Sequence, residues 1–78
     1  MNTPLRKIRL KNEMTLEELS KVAGLGISGL SRLERGQRGA SKATLDRLVT
    51  HFGGAIQEAH ILYPERYPNF LTEIEKVA

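Results

Sequence analysis

The chain has no cysteine and no tryptophan, and aromatic residues make up only 5% of its 78 positions. Without thiols there is neither a disulfide framework nor a thiolate metal site, a usage that fits a reducing compartment. Stability must come from aliphatic packing, close to the lower size limit at which one core suffices unaided. No run of about 18 apolar residues is present, which argues against a membrane span. The opening MNTPLRKIRLKN lacks the apolar stretch of a signal peptide. The expectation is a soluble, cytoplasmic protein with no membrane partner. Catalytic signals are equally scarce. His51 and His60 stand nine residues apart with no cysteine or carboxylate cluster at ligand spacing, and there is no phosphate loop or nucleophile motif. No enzymatic activity, cofactor, metal or small-molecule ligand is expected, and both histidines read as ordinary surface or interface residues.

β-Branched and aromatic residues are sparse whereas leucine recurs at helical intervals, which predicts an all-α fold. The net charge of +3 hides an asymmetry: residues 1–47 hold ten Lys/Arg against five Asp/Glu, and residues 48–78 hold two against four. A basic half and an acidic half suit a phosphate-binding surface with a separate packing or dimer region. An ordinary solvated surface that happens to be uneven fits equally well.

The most organised stretch runs from Thr15 to Gly36, TLEELSKVAGLGISGLSRLERG. Thr15 with Glu18 three places later is a capping box, so a helix should start at Leu16. Leu19, Val22 and Ala23 then form one apolar stripe opposite Glu17, Glu18 and Lys21. Gly24 stands where a helix commonly ends in a left-handed residue. Leu25 reads as an apolar plug, and a second helix from about Ile27 to Arg35 would bury Leu30 and Leu33. Its other side would show Ser28, Gly29, Ser31, Arg32 and Arg35. Two short helices across a glycine turn, the second carrying small and basic residues, form the pattern of a DNA-reading helix-turn-helix.

The flanks add further helices. Residues 1–4 read as frayed, with Thr3 able to cap a first helix and Pro4 at its first position; Leu5, Ile8 and Leu10 would supply its apolar contacts. Asn12 is placed to take the left-handed cap, and Met14 to staple against Leu19 or its neighbour. Ser41 would cap a helix with Leu45, Leu48, Val49 and Phe52 on its buried stripe, ended by Gly53 and Gly54. A fifth helix is expected from about Ala55 to Leu62. YPERYPNF then interrupts the helical pattern as a kinked connector. Pro68 could open a last helix, with Phe70, Leu71, Ile74 and Val77 as its apolar stripe. The reading divides the chain at 62: a helix-turn-helix domain over 1–62, and over 63–78 a connector and C-terminal helix that forms a candidate dimerisation segment.

Through LRKIR, T-x-EEL, AGL and SRLERG, in that order and spacing, the chain resembles the lambda-repressor-like helix-turn-helix family, also called Cro/repressor or XRE. The resemblance runs from about Leu5 to about Ala59. It implies a compact five-helix lambda-repressor-like DNA-binding domain, here with an additional C-terminal helix. It also implies an interior pair between Arg9 and Glu34, for which a guanidinium offers bidentate geometry. The second helix of the motif would enter the major groove, with Ile27, Ser28, Gly29 and Arg32 as the base-facing residues. Arg32 could bond guanine bidentately, Ser28 a base edge or phosphate, and Ile27 a thymine methyl. Backbone contacts would come from the Thr15 and Ser41 helix ends and from Ser31, Arg35, Arg38 and Lys42. The sequence departs from the family's usual pattern at four places. Leu16 stands for a common glutamine, Gly26 and Ile27 for a serine and a polar residue, Glu13 for glycine, and Ala40 for proline.

Two functions from different classes follow. The first is a sequence-specific DNA-binding transcriptional regulator, of repressor or autoregulator type, that binds a two-fold operator in double-stranded DNA as a homodimer through Phe70, Leu71, Ile74 and Val77. The second is a protein-binding module such as an antitoxin or anti-repressor, in which DNA binding is secondary. The basic first half favours the former, the apolar start of the reading helix the latter.

Overall fold

A computed structural model describes residues 3–37 and 40–70 of the chain. Each regular element among them is a helix: α1 Pro4–Lys11, α2 Leu16–Ala23, α3 Ile27–Glu34, α4 Lys42–His51, α5 Glu58–Leu62 and a 3-10 turn at Pro64–Arg66. α2 packs against both α3 and α4, α5 lies against α1 and α4, and α1 reaches α3. The shared core is aliphatic except for one ring: Leu5, Ile8, Leu19, Ala23, Leu30, Leu33, Leu45, Leu48, Ile56, Ile61 and Phe70.

The helix starts follow the capping chemistry. Thr15 Oγ1 accepts from the Glu18 N–H at 3.1 Å and a Glu18 carboxylate oxygen accepts from the Thr15 N–H at 2.9 Å, a reciprocal box. The bond from the Thr15 N–H is the main cause holding the Glu18 carboxyl below its ordinary value of 4.5. Ser41 Oγ accepts from the Thr44 N–H at 3.2 Å and opens α4 in the same manner.

The helix ends share one device. At the close of α1, α2, α3 and α4, the N–H groups of Met14, Leu25, Gln37 and Gly54 bond back to the carbonyls of Arg9, Ser20, Arg32 and Val49. This six-to-one closure needs a left-handed residue just before it. Gly24, Gly36 and Gly53 supply it with φ of 72°, 84° and 60°, and at the end of α1 Glu13 does so with φ of 55°. Asn12, expected in that role, instead has φ of −90°, and its amide donates to the Ile8 carbonyl at 2.7 Å. The correction follows from register: the six-to-one bond from the Met14 N–H to the Arg9 carbonyl needs its left-handed residue just before Met14, which is Glu13.

Other expectations shift for similar reasons. Leu10 is 50% exposed, because two residues beyond Ile8 is roughly 200° around a helix. On α2 the buried stripe is Leu19, Ser20 and Ala23, with Val22 only half-buried. On α4, Thr44, Leu45 and Leu48 are buried while Val49 and Phe52 are half-buried. α5 begins at Glu58 rather than near Ala55, since Gln57 is extended and its N–H donates to His60 Nδ1 at 2.8 Å. Thr3 and Pro4 are not frayed. Both are buried, and the Thr3 hydroxyl donates to the Glu34 carbonyl as well as capping α1.

The described part of the connector closes onto the same core. Phe70 is 1% exposed, with its ring centroid 4.7 Å from that of His60, which in turn lies 4.4 Å from the Tyr67 ring. Lys7 Nζ donates to the Pro68 carbonyl at 2.9 Å, tying this segment to α1.

Candidate nucleic-acid interface

α2 and α3 meet across Gly24, Leu25 and Gly26, with Leu25 half-buried against the core. Gly24 is left-handed and exposed, and only the flexible end of the Arg47 side chain of α4 lies over it. The turn thus fixes how α3 leaves α2.

The far end of α3 is tied down by its only acidic residue. Arg9 Nε donates to one Glu34 oxygen at 2.5 Å and Nη2 to the other at 3.2 Å, while Nη1 reaches the Met14 carbonyl at 2.8 Å. Arg9 is 6% exposed and Glu34 3%. One guanidinium therefore joins α1, the loop before α2, and the end of α3. Thr3 adds its bond to the Glu34 carbonyl, and Pro64 packs beside Gly36, where a Cβ would meet its ring at 3.2 Å. Sequence reasoning overlooked Thr3 and Pro64 as parts of this anchor; the Thr3-Pro4 capping signature was the available signal for the first.

With Glu34 turned inward and neutralised, the outward face of α3 carries no acidic charge. Ile27, Ser28, Arg32 and Arg35 are exposed, and Gly29 and Ser31 are half-buried. Gly26 caps α3 without a side-chain bond, and the first N–H satisfied within the helix is that of Leu30, on the Gly26 carbonyl at 3.0 Å. The N–H groups of Ile27, Ser28 and Gly29 therefore point out at the helix start. A rigid, uncapped helix end with a basic outer face is suited to lie against an anion-lined groove.

The family model for helix-turn-helix domains of the XRE and lambda-repressor type matches residues 5–58. The chain belongs to the helix-turn-helix family. No curated protein and no solved structure matches it. The family is one of DNA-binding transcription regulators, typically without enzymatic activity, and double-stranded DNA is the ligand that membership implies. Among the described residues, no group of three or more His, Cys, Asp or Glu is placed to hold a metal ion, and no helix is long and apolar enough to cross a membrane.

Within this helix-turn-helix the other expected contact residues fall in different settings. Thr15 is exposed at the start of α2, but its N–H is occupied by Glu18, and Glu17 adds a second carboxylate to that first turn. Ser41 is exposed at the start of α4, whose first turn has no acidic residue. Lys42 lies 3.3 Å from a Glu58 oxygen and 3.6 Å from an Asp46 oxygen. The hydrogen bond to Glu58 and the charge of Asp46 raise its pKa above 10.5. Arg38 lies outside the described residues, as do Leu71, Ile74 and Val77. Phe70, grouped with them as a dimer contact, is enclosed in its own chain's core. Gly26 and Gly29 are not required by close packing: a Cβ at Gly26 meets nothing within 4 Å, and one at Gly29 only Leu25 at 3.8 Å.

Proposed function

We propose that this protein is a sequence-specific transcriptional regulator of repressor or autoregulator type, which inserts α3 into the major groove and binds a two-fold operator as a homodimer. The observation that carries this reading is the charge arrangement of α3. Its single carboxylate is consumed inside the fold by Arg9, leaving Ser28, Arg32 and Arg35 on an exposed face free of acid. Arg32 is the candidate for bidentate guanine contact, and Ser28 and Ile27 for neighbouring bases. Arg35, Ser31, Ser41 and Arg38 are the candidate phosphate contacts, with Lys42 in a weaker position because two carboxylates already hold it. Dimerisation through Leu71, Ile74 and Val77 would set half-sites about 34 Å apart.

Fluorescence anisotropy tests the reading. A duplex enriched from a random pool should bind far more tightly than bulk DNA, with log K falling by about 0.9 per phosphate contact for each unit of log salt. Arg32→Ala should relax sequence preference, whereas Arg38→Ala should weaken all sequences alike and lower the salt slope. Weak, unselective binding at low salt would refute the regulator and point to a protein partner instead. Sedimentation showing a monomer well above the DNA-binding concentration would refute the dimer.

A further inference from the structure

Residues 48–78 hold two Lys/Arg, Arg66 and Lys76, and the fold carries the first of them back to the basic half of the chain. Arg35, which follows α3, stands between two anchored neighbours. On one side the Glu34 carbonyl accepts from the Thr3 hydroxyl, and that hydroxyl oxygen accepts from the Arg6 N–H at 3.5 Å. On the other side Pro64 packs beside Gly36, where a Cβ would meet its ring at 3.2 Å. The start of α1 and the turn Pro64–Arg66 are thereby pinned to the same end of α3. Each brings an exposed arginine to that corner, Arg6 from α1 and Arg66 from the turn, beside the exposed Arg35. Arg66 is also ordered in advance. Its guanidinium carbon lies 4.7 Å from the Tyr63 ring centroid, and its N–H donates to the Tyr63 carbonyl at 3.1 Å. Glu34 is turned inward to Arg9 and gives these three cations no counter-charge; the acid on the turn itself is Glu65. Like charges brought to one corner by three separate segments repel one another, and a bound anion relieves that repulsion.

We propose that Arg66, with Arg6 and beside Arg35, binds the DNA backbone, so that the connector extends the phosphate-binding surface past residue 58, where the family match ends. The inference rests on the DNA-binding role proposed above and adds to it a contact from outside the matched domain. A guanidinium suits the task, because its planar fork bonds two phosphate oxygens at once. A phosphate is also the anion at hand: a helix lying in the major groove has a sugar–phosphate strand on either side of it. Contacts to that strand fix register and orientation without reading bases. The contribution of Arg66 is therefore equal for every sequence.

The test is fluorescence anisotropy on the full chain with two probes, the duplex enriched from a random pool by wild type and bulk DNA. Arg66→Gln should lower the slope of log K against log salt by about 0.9, so its affinity deficit shrinks about 3.5-fold between about 50 and 200 mM salt. The deficit should be the same for both probes. Arg6→Gln should behave alike, and Arg66→Lys should recover most of the slope because it keeps the charge. Lys11→Gln removes the same charge from the other end of α1 and should leave the slope close to that of wild type. Melting temperatures should stay near wild type throughout. An Arg66→Gln slope equal to that of wild type, or a drop no larger than Lys11→Gln gives, overturns the inference. So does a deficit that Arg66→Lys fails to recover, which would confine Arg66 to stacking on Tyr63. A wild-type chain that binds neither probe at low salt overturns the DNA-binding role first and this contact with it.

Discussion

Removing the Glu34 carboxylate separates the two consequences of burying an ion pair. In Glu34→Ala the Arg9 guanidinium remains enclosed with the Met14 carbonyl as its acceptor, having lost the bonds at 2.5 and 3.2 Å. Breaking a buried pair from one side costs about 3–5 kcal/mol, because a charge is left without its counter-charge. A domain of this length has roughly 4–12 kcal/mol in all, at about 0.05–0.15 kcal/mol per residue. Glu34→Ala should therefore remove about a quarter of that total or more. Glu34→Gln keeps the shape and one acceptor but also removes the counter-charge, so it should fall toward the lower end of the same range, about 3 kcal/mol. The double variant Arg9→Met with Glu34→Leu has no buried charge to strand, and should recover most of what either single change loses.

Urea unfolding followed by far-UV circular dichroism measures wild type, Glu34→Ala, Glu34→Gln, the double variant and its two component single variants, Arg9→Met and Glu34→Leu. Because the pair is shielded from solvent, the gap between wild type and Glu34→Gln should be nearly unchanged between about 0.1 and 1 M salt. Single-variant losses that simply add in the double variant would refute the coupling. A Glu34→Gln loss under about half a kcal/mol would show that the bonds to Arg9 contribute no more than a surface pair.

Gly29→Ala should raise stability by about 1 kcal/mol, since its Cβ meets only Leu25 at ordinary contact distance. Its DNA affinity should fall, and unchanged affinity would show that this position does not lie against the DNA. Glu13→Gly should stabilise by about 1 kcal/mol in thermal melts, because glycine adopts the φ of 55° without the strain a Cβ brings. Phe70→Ala should cost about 3–5 kcal/mol; a loss below about 1 kcal/mol would mean that the ring does not complete this core. The Glu18 carboxyl titrates below its ordinary value in the folded chain, so its capping contribution is present above pH 4.5 and fades as pH falls through the lowered folded value. The stability gap between wild type and Glu18→Ala should accordingly narrow on acidification, and a gap independent of pH would remove the charge from the account.

The fold was legible where chemistry is local. Thr3, Thr15 and Ser41 announce helix starts because a side-chain oxygen three residues ahead of a free N–H is a sequence-adjacent relation. Glycines at 24, 36 and 53 announce helix ends for the same reason. Glu13 shows the limit, since only the six-to-one bond from Met14 to Arg9 reveals that a non-glycine residue has been drawn into the left-handed region. Relations across the chain were less legible. Nothing adjacent in sequence ties Thr3 to the Glu34 carbonyl, Pro64 to Gly36, or Phe70 to His60. The same distance hid the inward turn of Phe70, whose i, i+4 spacing with Ile74 reads on its own as one stripe of a separate helix. Arg9 and Glu34, 25 residues apart, became readable only through the family resemblance.

The start of α2 shows why site residues are harder to read than caps. Thr15 and Glu18 satisfy a local pattern completely, and the same completeness works against a phosphate there. The Thr15 and Glu18 N–H groups are already bonded at 2.9 and 3.1 Å, and an anion approaching the remaining two would face both Glu17 and Glu18. Opposite charge near a helix N-terminus is worth about 0.3–1 kcal/mol at the surface, and two carboxylates reverse its sign for an incoming phosphate. α3 and α4 carry no acid in their first turns. On the proposed reading, the electrostatic load of holding DNA therefore falls on the starts of α3 and α4 and on the arginines between them, and α2 serves mainly to aim α3 through Gly24.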